Sequence, residues 1–106
     1  MTDRPLISKA FQAFMTEAPQ HAQAWGAMVR ELANASALDA KTSALAYLAV
    51  LAALRLESGV PFHVRTARQL GASREEVISA ILVGAPAAGH GVTQVLPAAI
   101  AAYDAT

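Results

Sequence analysis

Alanine accounts for about a quarter of the 106 residues, and apolar side chains recur at helical spacing along the whole chain. Alanine has the highest helix propensity of any residue. Nowhere do β-branched residues alternate with polar ones, which is the pattern of a half-buried strand. The sequence therefore predicts an all-α fold of about six helices.

Proline and capping residues set the expected bounds of the first helices. We expect the first helix to start near Asp3, with Pro5 in its opening turn, and to stop at Pro19. The second helix ends where segment 34–38 breaks its apolar pattern. Asp39 is the predicted N-cap of the third helix, because an aspartate there accepts hydrogen bonds from the first free N–H groups.

The third helix is expected to run to about Leu56 and to be apolar on nearly every face, which places it centrally or in a subunit interface. Pro61 suits the first position of the fourth helix, and Gly71 is expected to close it in a left-handed conformation. The residues Ser73-Arg74-Glu75-Glu76 form a capping box that opens the fifth helix.

We expect Pro86 and Gly89 to end or kink the fifth helix and Pro97 to bend the last one. The chain contains no linker-like stretch, no low-complexity tract and no internal repeat. Its length suits one domain. We therefore predict a single domain over residues 1–106.

The small number of charged residues limits the partners of the chain. Charged residues make up 15% of the sequence, and eight basic side chains balance eight acidic ones. A net charge of +0 excludes nucleic-acid binding by bulk charge, which needs a basic surplus. With so little charge to cover its outside, a lone protomer would expose apolar patches, so we expect a homo-oligomer. A small alanine-rich monomer is the alternative.

The sequence contains no cysteine, which excludes disulfides, thiolate metal sites and cysteine-based redox chemistry. The most apolar run, Ala44 to Leu54, is shorter than the roughly 20 residues that a membrane span needs, so we expect no membrane partner. The N-terminus lacks the pattern of a signal peptide, and we expect a cytoplasmic protein.

Histidines are the main candidates for proton chemistry near neutral pH. His63 lies on the predicted apolar stripe of the fourth helix, in its first turn, where the helix dipole lowers the pKa of an imidazole. It is either a functional base or a core histidine with one hydrogen bond. His90, between Gly89 and Gly91, is either close to a bound ligand or an exposed loop residue. The three histidines are too scattered for a metal pair, so we predict no metal site.

Charged residues near His63 have two interpretations each. Glu57 either shares a pocket with His63, as an acid/base or orienting partner, or is a surface glutamate. Arg65 and Arg68 form either a solvated face or, for a carboxylate substrate, a bidentate anchor.

Three segments resemble the carboxymuconolactone decarboxylase family, whose superfamily also contains the alkylhydroperoxidase D proteins. The segments are Leu38-Asp39-Ala40-Lys41-Thr42, His63-Val64-Arg65-Thr66-Ala67-Arg68 and Gly71-Ala72-Ser73-Arg74-Glu75-Glu76-Val77. The resemblance covers roughly residues 25–103. It implies an alkylhydroperoxidase D-like helical bundle that assembles into trimers or hexamers through its central helices.

The same resemblance separates two functional types. The peroxidase type carries Cys-x-x-Cys before its histidine, but here Leu56 and Gly59 stand at the cysteine positions. Ala44 stands at the position of its helical glutamate, and Ser58 at that of a second histidine. Peroxide reduction by that route needs a thiolate and a resolving thiol, which leucine and glycine cannot supply. A peroxidase with an unidentified reductant is therefore only the third alternative.

The decarboxylase type lacks the cysteine pair and keeps an acidic stretch before the histidine, followed by His-x-Arg-x-Ala-Arg. Glu57 and the segment His63 to Arg68 are similar to this pattern. This implies a cofactor-free lyase that acts on a small cyclic or conjugated carboxylate. His63 would be the proton donor or relay, Glu57 its partner, and Arg65 or Arg68 the carboxylate anchor; we add His90 as a substrate contact. The second hypothesis is a non-enzymatic oligomeric binding or scaffold protein of the same fold.

Overall fold

The computed structural model describes residues 7–105, which form helices joined by short turns and contain no strand. The chain divides at the junction of Asp39 and Ala40 into two compact units. The all-α prediction is confirmed, and six of the described α-helices have nine residues or more. The expected single domain stays a prediction.

The first unit is a helical hairpin of α1 (Lys9–Glu17) and α2 (Pro19–Ala35). Two phenylalanines of α1 pack against Trp25 of α2, and the ring centroids of Phe11 and Trp25 lie 5.3 Å apart. Neither helix contains a fully buried residue. As predicted, α1 ends before Pro19, which lies in the first turn of α2, where its missing N–H breaks no hydrogen bond.

The start of α1 differs from the prediction. Ser8 is its N-cap, and the Ser8 hydroxyl accepts a hydrogen bond of 3.1 Å from the backbone N–H of Phe11. Ile7 therefore precedes the helix, because the serine cap fixes the first turn one residue later. The predicted start near Asp3, with Pro5 in the opening turn, lies outside the described residues.

The second unit contains five α-helices and two short 3₁₀ segments, Glu57–Gly59 and His90–Val95. The α-helices are α3 (Ala40–Leu54), α4 (Val60–Gln69), α5 (Arg74–Leu82), α6 (Ala85–Ala88) and α7 (Leu96–Ala105). Helix α3 packs against α4 and α5, and α4 packs against α7. The largest fully buried side chains of this core are Leu48, Val60, Val64, Val77, Ile81, Val92 and Val95.

Helix α3 ends at Leu54, slightly earlier than the predicted end near Leu56. Arg55 has a φ of 57°, a left-handed conformation that a helix of L-residues cannot continue through. The guanidinium of Arg55 lies directly against Gly91, in the space that a Cβ at this position would occupy. Glycine leaves room for that contact because it has no Cβ.

The turn between α4 and α5 follows the prediction closely. Gly71 has a φ of 98°, and the N–H groups of Gly71 and Ala72 donate to carbonyls near the end of α4, each at 3.0 Å. The capping box is also confirmed. The Ser73 hydroxyl accepts from the N–H of Glu76 at 3.0 Å, and the Glu76 carboxylate accepts from the N–H of Ser73 at 2.8 Å.

Three prolines each occupy the second position of an α-helix, where no intrahelical N–H bond is lost: Pro61 in α4, Pro86 in α6 and Pro97 in α7. The predicted bend at Pro97 is therefore wrong, since the α-helix begins beside it and a 3₁₀ segment precedes it. Pro86 also does not lie in α5, which ends at Leu82. It opens the short α6, and Gly89, with a φ of 86°, closes that helix.

Polar contacts hold α7 against its neighbours. The hydroxyl of Tyr103 donates to the carbonyl of Ala72 at 2.8 Å. The guanidinium of Arg68 donates to the Tyr103 carbonyl and lies 4.8 Å from the centroid of its ring. Arg74 binds both carboxylate oxygens of Asp104, at 2.9 and 3.2 Å.

Among residues 7–105, no helix combines the length and apolar character that crossing a membrane requires.

Candidate functional site

His63 is the fourth residue of α4, at the border of the core-facing side of that helix. Val60, Val64 and Ala67 of the same helix are completely buried, whereas His63 is only half-buried. The imidazole is therefore partly accessible to solvent. Its role as a functional base stays a prediction.

Two aromatic rings fix the imidazole of His63. Tyr47 of α3 stacks on it, with ring centroids 4.3 Å apart and an interplanar angle of 26°. Phe62 meets it edge-on, at 5.2 Å and 75°. The stack forms because α3 and α4 pack side by side and both side chains lie at that contact. The orientation of the imidazole is thus set by two neighbours, one of them on a different helix.

Burial lowers the pKa of His63 below its ordinary value, because the charged imidazolium loses water there. The direction agrees with the sequence prediction. The cause differs, since partial burial accounts for the shift and the helix dipole was the expected cause. At neutral pH the imidazole is therefore held in its neutral form, which can accept a proton.

Glu57 is exposed and opens the 3₁₀ segment that precedes α4. Within residues 7–105, neither a hydrogen bond nor an ion pair joins its carboxylate to His63. Its backbone carbonyl accepts the N–H of Val60, which secures the turn into α4. The structure thus places Glu57 near the start of the helix that carries His63 and does not bring the two side chains into contact.

The two arginines of α4 differ in their surroundings. The guanidinium of Arg68 is bound to Tyr103 of α7, as described above, so its visible role is to join two helices. Arg65 is partly buried and lies two residues after His63. Residues two positions apart do not share a helix face. A ligand that contacts both Arg65 and His63 must therefore extend around α4.

His90 is exposed and begins the 3₁₀ segment His90–Val95. Its carbonyl accepts a hydrogen bond of 3.0 Å from the Thr93 hydroxyl. No aromatic, ionic or hydrogen-bond contact joins the His90 imidazole to the side chains of α3 or α4 in the described part of the chain. Gly89 and Gly91 flank it as expected, and the space at Gly91 is taken by Arg55.

Sequence reasoning missed Tyr47 and Phe62. A detectable signal existed for Tyr47, since it is the only aromatic residue of α3 and lies one helical turn after Ala44. Ala44 stands at the position of the helical glutamate of the peroxidase type, and Tyr47 lies on the same face of α3 as Ala44. Phe62 is adjacent to His63 in sequence, but only the packing shows that the two rings meet.

An open groove of about 470 Å³ lies between α3 and α5. Its walls are mostly apolar, with two glutamates at one end, and none of the predicted site residues lines it. The lining residues are Thr42, Leu45, Ala46, Ala49, Glu75, Glu76, Ser79, Ala80 and Val83. Across residues 7–105, no cluster of three or more histidine, aspartate or glutamate side chains has the arrangement of a metal site.

The sequence of this chain matches one known protein family. The model of the Carboxymuconolactone decarboxylase family matches residues 19–104, which is most of the chain. Neither a curated protein nor a solved structure matches this chain. The matched range includes α2, the whole second unit as far as residue 104, and the helix that carries His63. The chain belongs to the carboxymuconolactone decarboxylase family.

Proposed function

We propose that this protein is a cofactor-free lyase that releases CO₂ from a small cyclic or conjugated carboxylate, with His63 as its proton donor. One observation carries the proposal: the imidazole of His63 is half-buried, open on one side and held by rings from two helices. Membership of the family supports the reaction class. The chain has no cysteine for the thiol-dependent alternative.

The reaction requires only substrate binding and one proton transfer to carbon. The bond between the substrate ring and its carboxylate breaks, CO₂ leaves, and the electron pair passes into the conjugated system. A carboxylate beside the neutral imidazole favours its protonation, so His63 takes up a proton as the substrate binds. The imidazolium then protonates the carbon, and water restores the proton to His63.

The other predicted site residues have separate roles in this proposal. Arg65 stays the candidate anchor for a second carboxylate, reached around the helix. Glu57 and His90 are exposed and accessible to a ligand, or to a second protomer, from the solvent side. The guanidinium of Arg68 is bound to Tyr103, and we assign this residue to the joining of α4 and α7.

A homo-oligomer would supply the dry surroundings that the reaction favours. Val50 and Leu54 of α3 are 54% and 62% exposed, and they lie one helical turn apart on the face next to Tyr47. Exposed apolar surface of this kind is typical of an interface. In this proposal a second copy covers that face of α3, in a trimer or hexamer, and excludes water from the neighbouring imidazole.

The direct test is to incubate the full-length protein with carboxymuconolactone and to measure CO₂ release. We expect turnover above the uncatalysed rate, and we expect His63→Gln to reduce it by about 10²–10⁴-fold, the usual contribution of a positioned proton donor. His21→Gln is the matched control, since His21 is exposed on α2. Absence of CO₂ release, or full activity of His63→Gln, would contradict the proposal.

A binding or scaffold role is the second candidate. It is favoured by one observation, the lack of any carboxylate contact to His63 among the described residues. This alternative predicts that His63→Ala leaves ligand binding and turnover unchanged while the oligomer persists. A large loss of either in that variant would reject it.

A further inference from the structure

We propose that Tyr47 and His63 together form the carboxylate-binding face of this site, with the Tyr47 hydroxyl and an imidazole N–H donating to the two oxygens of one carboxylate. This inference rests on the proposed function for its substrate class, but its geometry comes from the ring stack alone. It adds a residue from α3 to a site that would otherwise consist of α4 residues.

The stack places the phenol ring of Tyr47 next to the imidazole ring of His63. The rings lie 4.3 Å apart and nearly parallel, at 26°. The phenolic oxygen and the imidazole nitrogens are at the rims of those rings, so a small ligand at the rim can reach both. Donors carried by two rings stacked this closely can each bind one of the two oxygens of a carboxylate.

Both donors are available for a ligand. Among residues 7–105, the Tyr47 hydroxyl and the imidazole nitrogens of His63 have no hydrogen-bond partner within the protein. The other tyrosine behaves differently, because the Tyr103 hydroxyl is bound to the carbonyl of Ala72. Tyr47 is also 47% exposed, so a ligand can approach its hydroxyl.

No aspartate or glutamate of the described residues forms an ion pair or hydrogen bond with His63, so an incoming carboxylate meets no acidic side chain bound to the imidazole. The imidazole of His63 carries an N–H in both its neutral and its protonated form, so it can donate a hydrogen bond to a carboxylate in either state. The ring of Phe62, in addition to that of Tyr47, contacts the imidazole and meets it edge-on.

The test uses furan-2-carboxylate, a planar cyclic carboxylate, as the probe for the full-length protein. Its dissociation constant is measured by calorimetry, and its position by NMR of ring-labelled tyrosine and histidine. We expect the resonances of Tyr47 and His63 to shift together. Tyr47→Phe keeps the stacked ring and removes the hydroxyl, and we expect it to weaken binding by about 10-fold, the value of one such hydrogen bond to a charged group. Tyr103→Phe is the matched control and should leave the dissociation constant unchanged.

The outcomes separate this inference from the proposed function. Unchanged affinity in Tyr47→Phe, or probe-induced shifts confined to other residues, would overturn the inference. Probe binding that depends on Tyr47 without any CO₂ release from carboxymuconolactone would uphold it and contradict the lyase. Conversely, decarboxylation that proceeds at the wild-type rate in Tyr47→Phe, with kcat and KM both unchanged, would uphold the lyase and overturn the inference.

Discussion

The imidazole of His63 lies between water and the core, and its pKa is lowered because burial disfavours the charged form. At the scale of single residues this makes proton uptake costly for the folded protein. The unfolded chain binds that proton at the ordinary histidine value of about 6.5, whereas the folded chain binds it only at lower pH. Stability therefore depends on pH through this one side chain.

We predict that the free energy of unfolding falls as pH decreases from 7.5 to 5.5, because the unfolded state binds more protons over this window. His63→Gln should flatten this dependence, which urea denaturation at both pH values would measure. The window lies above the range in which carboxylates titrate, so they contribute little. An equal slope in wild type and variant would show that His63 is not the residue responsible.

The same scale shows what sequence reasoning could and could not reach. His63 was found because a histidine on an apolar helical stripe is unusual. Tyr47 was not found, because its role depends on the packing of α3 against α4, and sequence separation gives no information on that contact. The bond between Arg68 and Tyr103 was hidden for the same reason, since the two residues lie 35 positions apart.

At the scale of helices, most of the correct predictions of helix boundaries came from short sequence signals. The capping box at Ser73 and the left-handed Gly71 were predicted because each depends on a few adjacent residues. Predictions failed where two local signals competed. The apolar spacing around Pro97 predicts one continuous, bent helix. An α-helix, however, accommodates proline without loss of a hydrogen bond only in its first turn. The α-helix therefore begins beside Pro97, and the residues before it form a 3₁₀ segment.

We predict that Ser73→Ala lowers the free energy of unfolding by about 1 kcal/mol, the usual cost of losing an N-cap side chain. The hydroxyl of Ser73 accepts the N–H of Glu76, and alanine would leave that group without its partner. Ser79→Ala, at an exposed position of the same helix, is the control and should change stability by less than about 0.5 kcal/mol. Similar losses in both variants, measured by chemical denaturation, would refute a specific capping effect.

At the scale of the whole molecule, the chain has few charges and two compact units whose apolar side chains are not fully covered. In the first unit no described helical residue is buried, and Met28 and Leu32 of α2 are 49% and 64% exposed. In the second unit the exposed α3 residues Val50 and Leu54 follow the tyrosine of the candidate site along the helix. Composition foretold exposed apolar surface, but its location required the packing of the helices.

We predict that Val50→Asp dissociates the oligomer, because it places a charge on the exposed α3 face. Light scattering coupled to size-exclusion chromatography would show a shift from a trimer or hexamer to a smaller species. Val83→Asp is the matched control, since Val83 is 68% exposed on the groove beside α5. Dissociation by Val83→Asp alone would assign the interface to the groove and reject the α3 face.

The contact between Arg55 and Gly91 bears on how this surface can change. A methyl group at position 91 would overlap the guanidinium of Arg55, the end of a flexible side chain, which supplies the three heavy atoms nearest to that point. An alanine at this position is therefore expected to leave the surrounding turn intact and to release Arg55 towards solvent. The glycine thus determines where a positive charge rests on the protein, and has little influence on whether the segment folds.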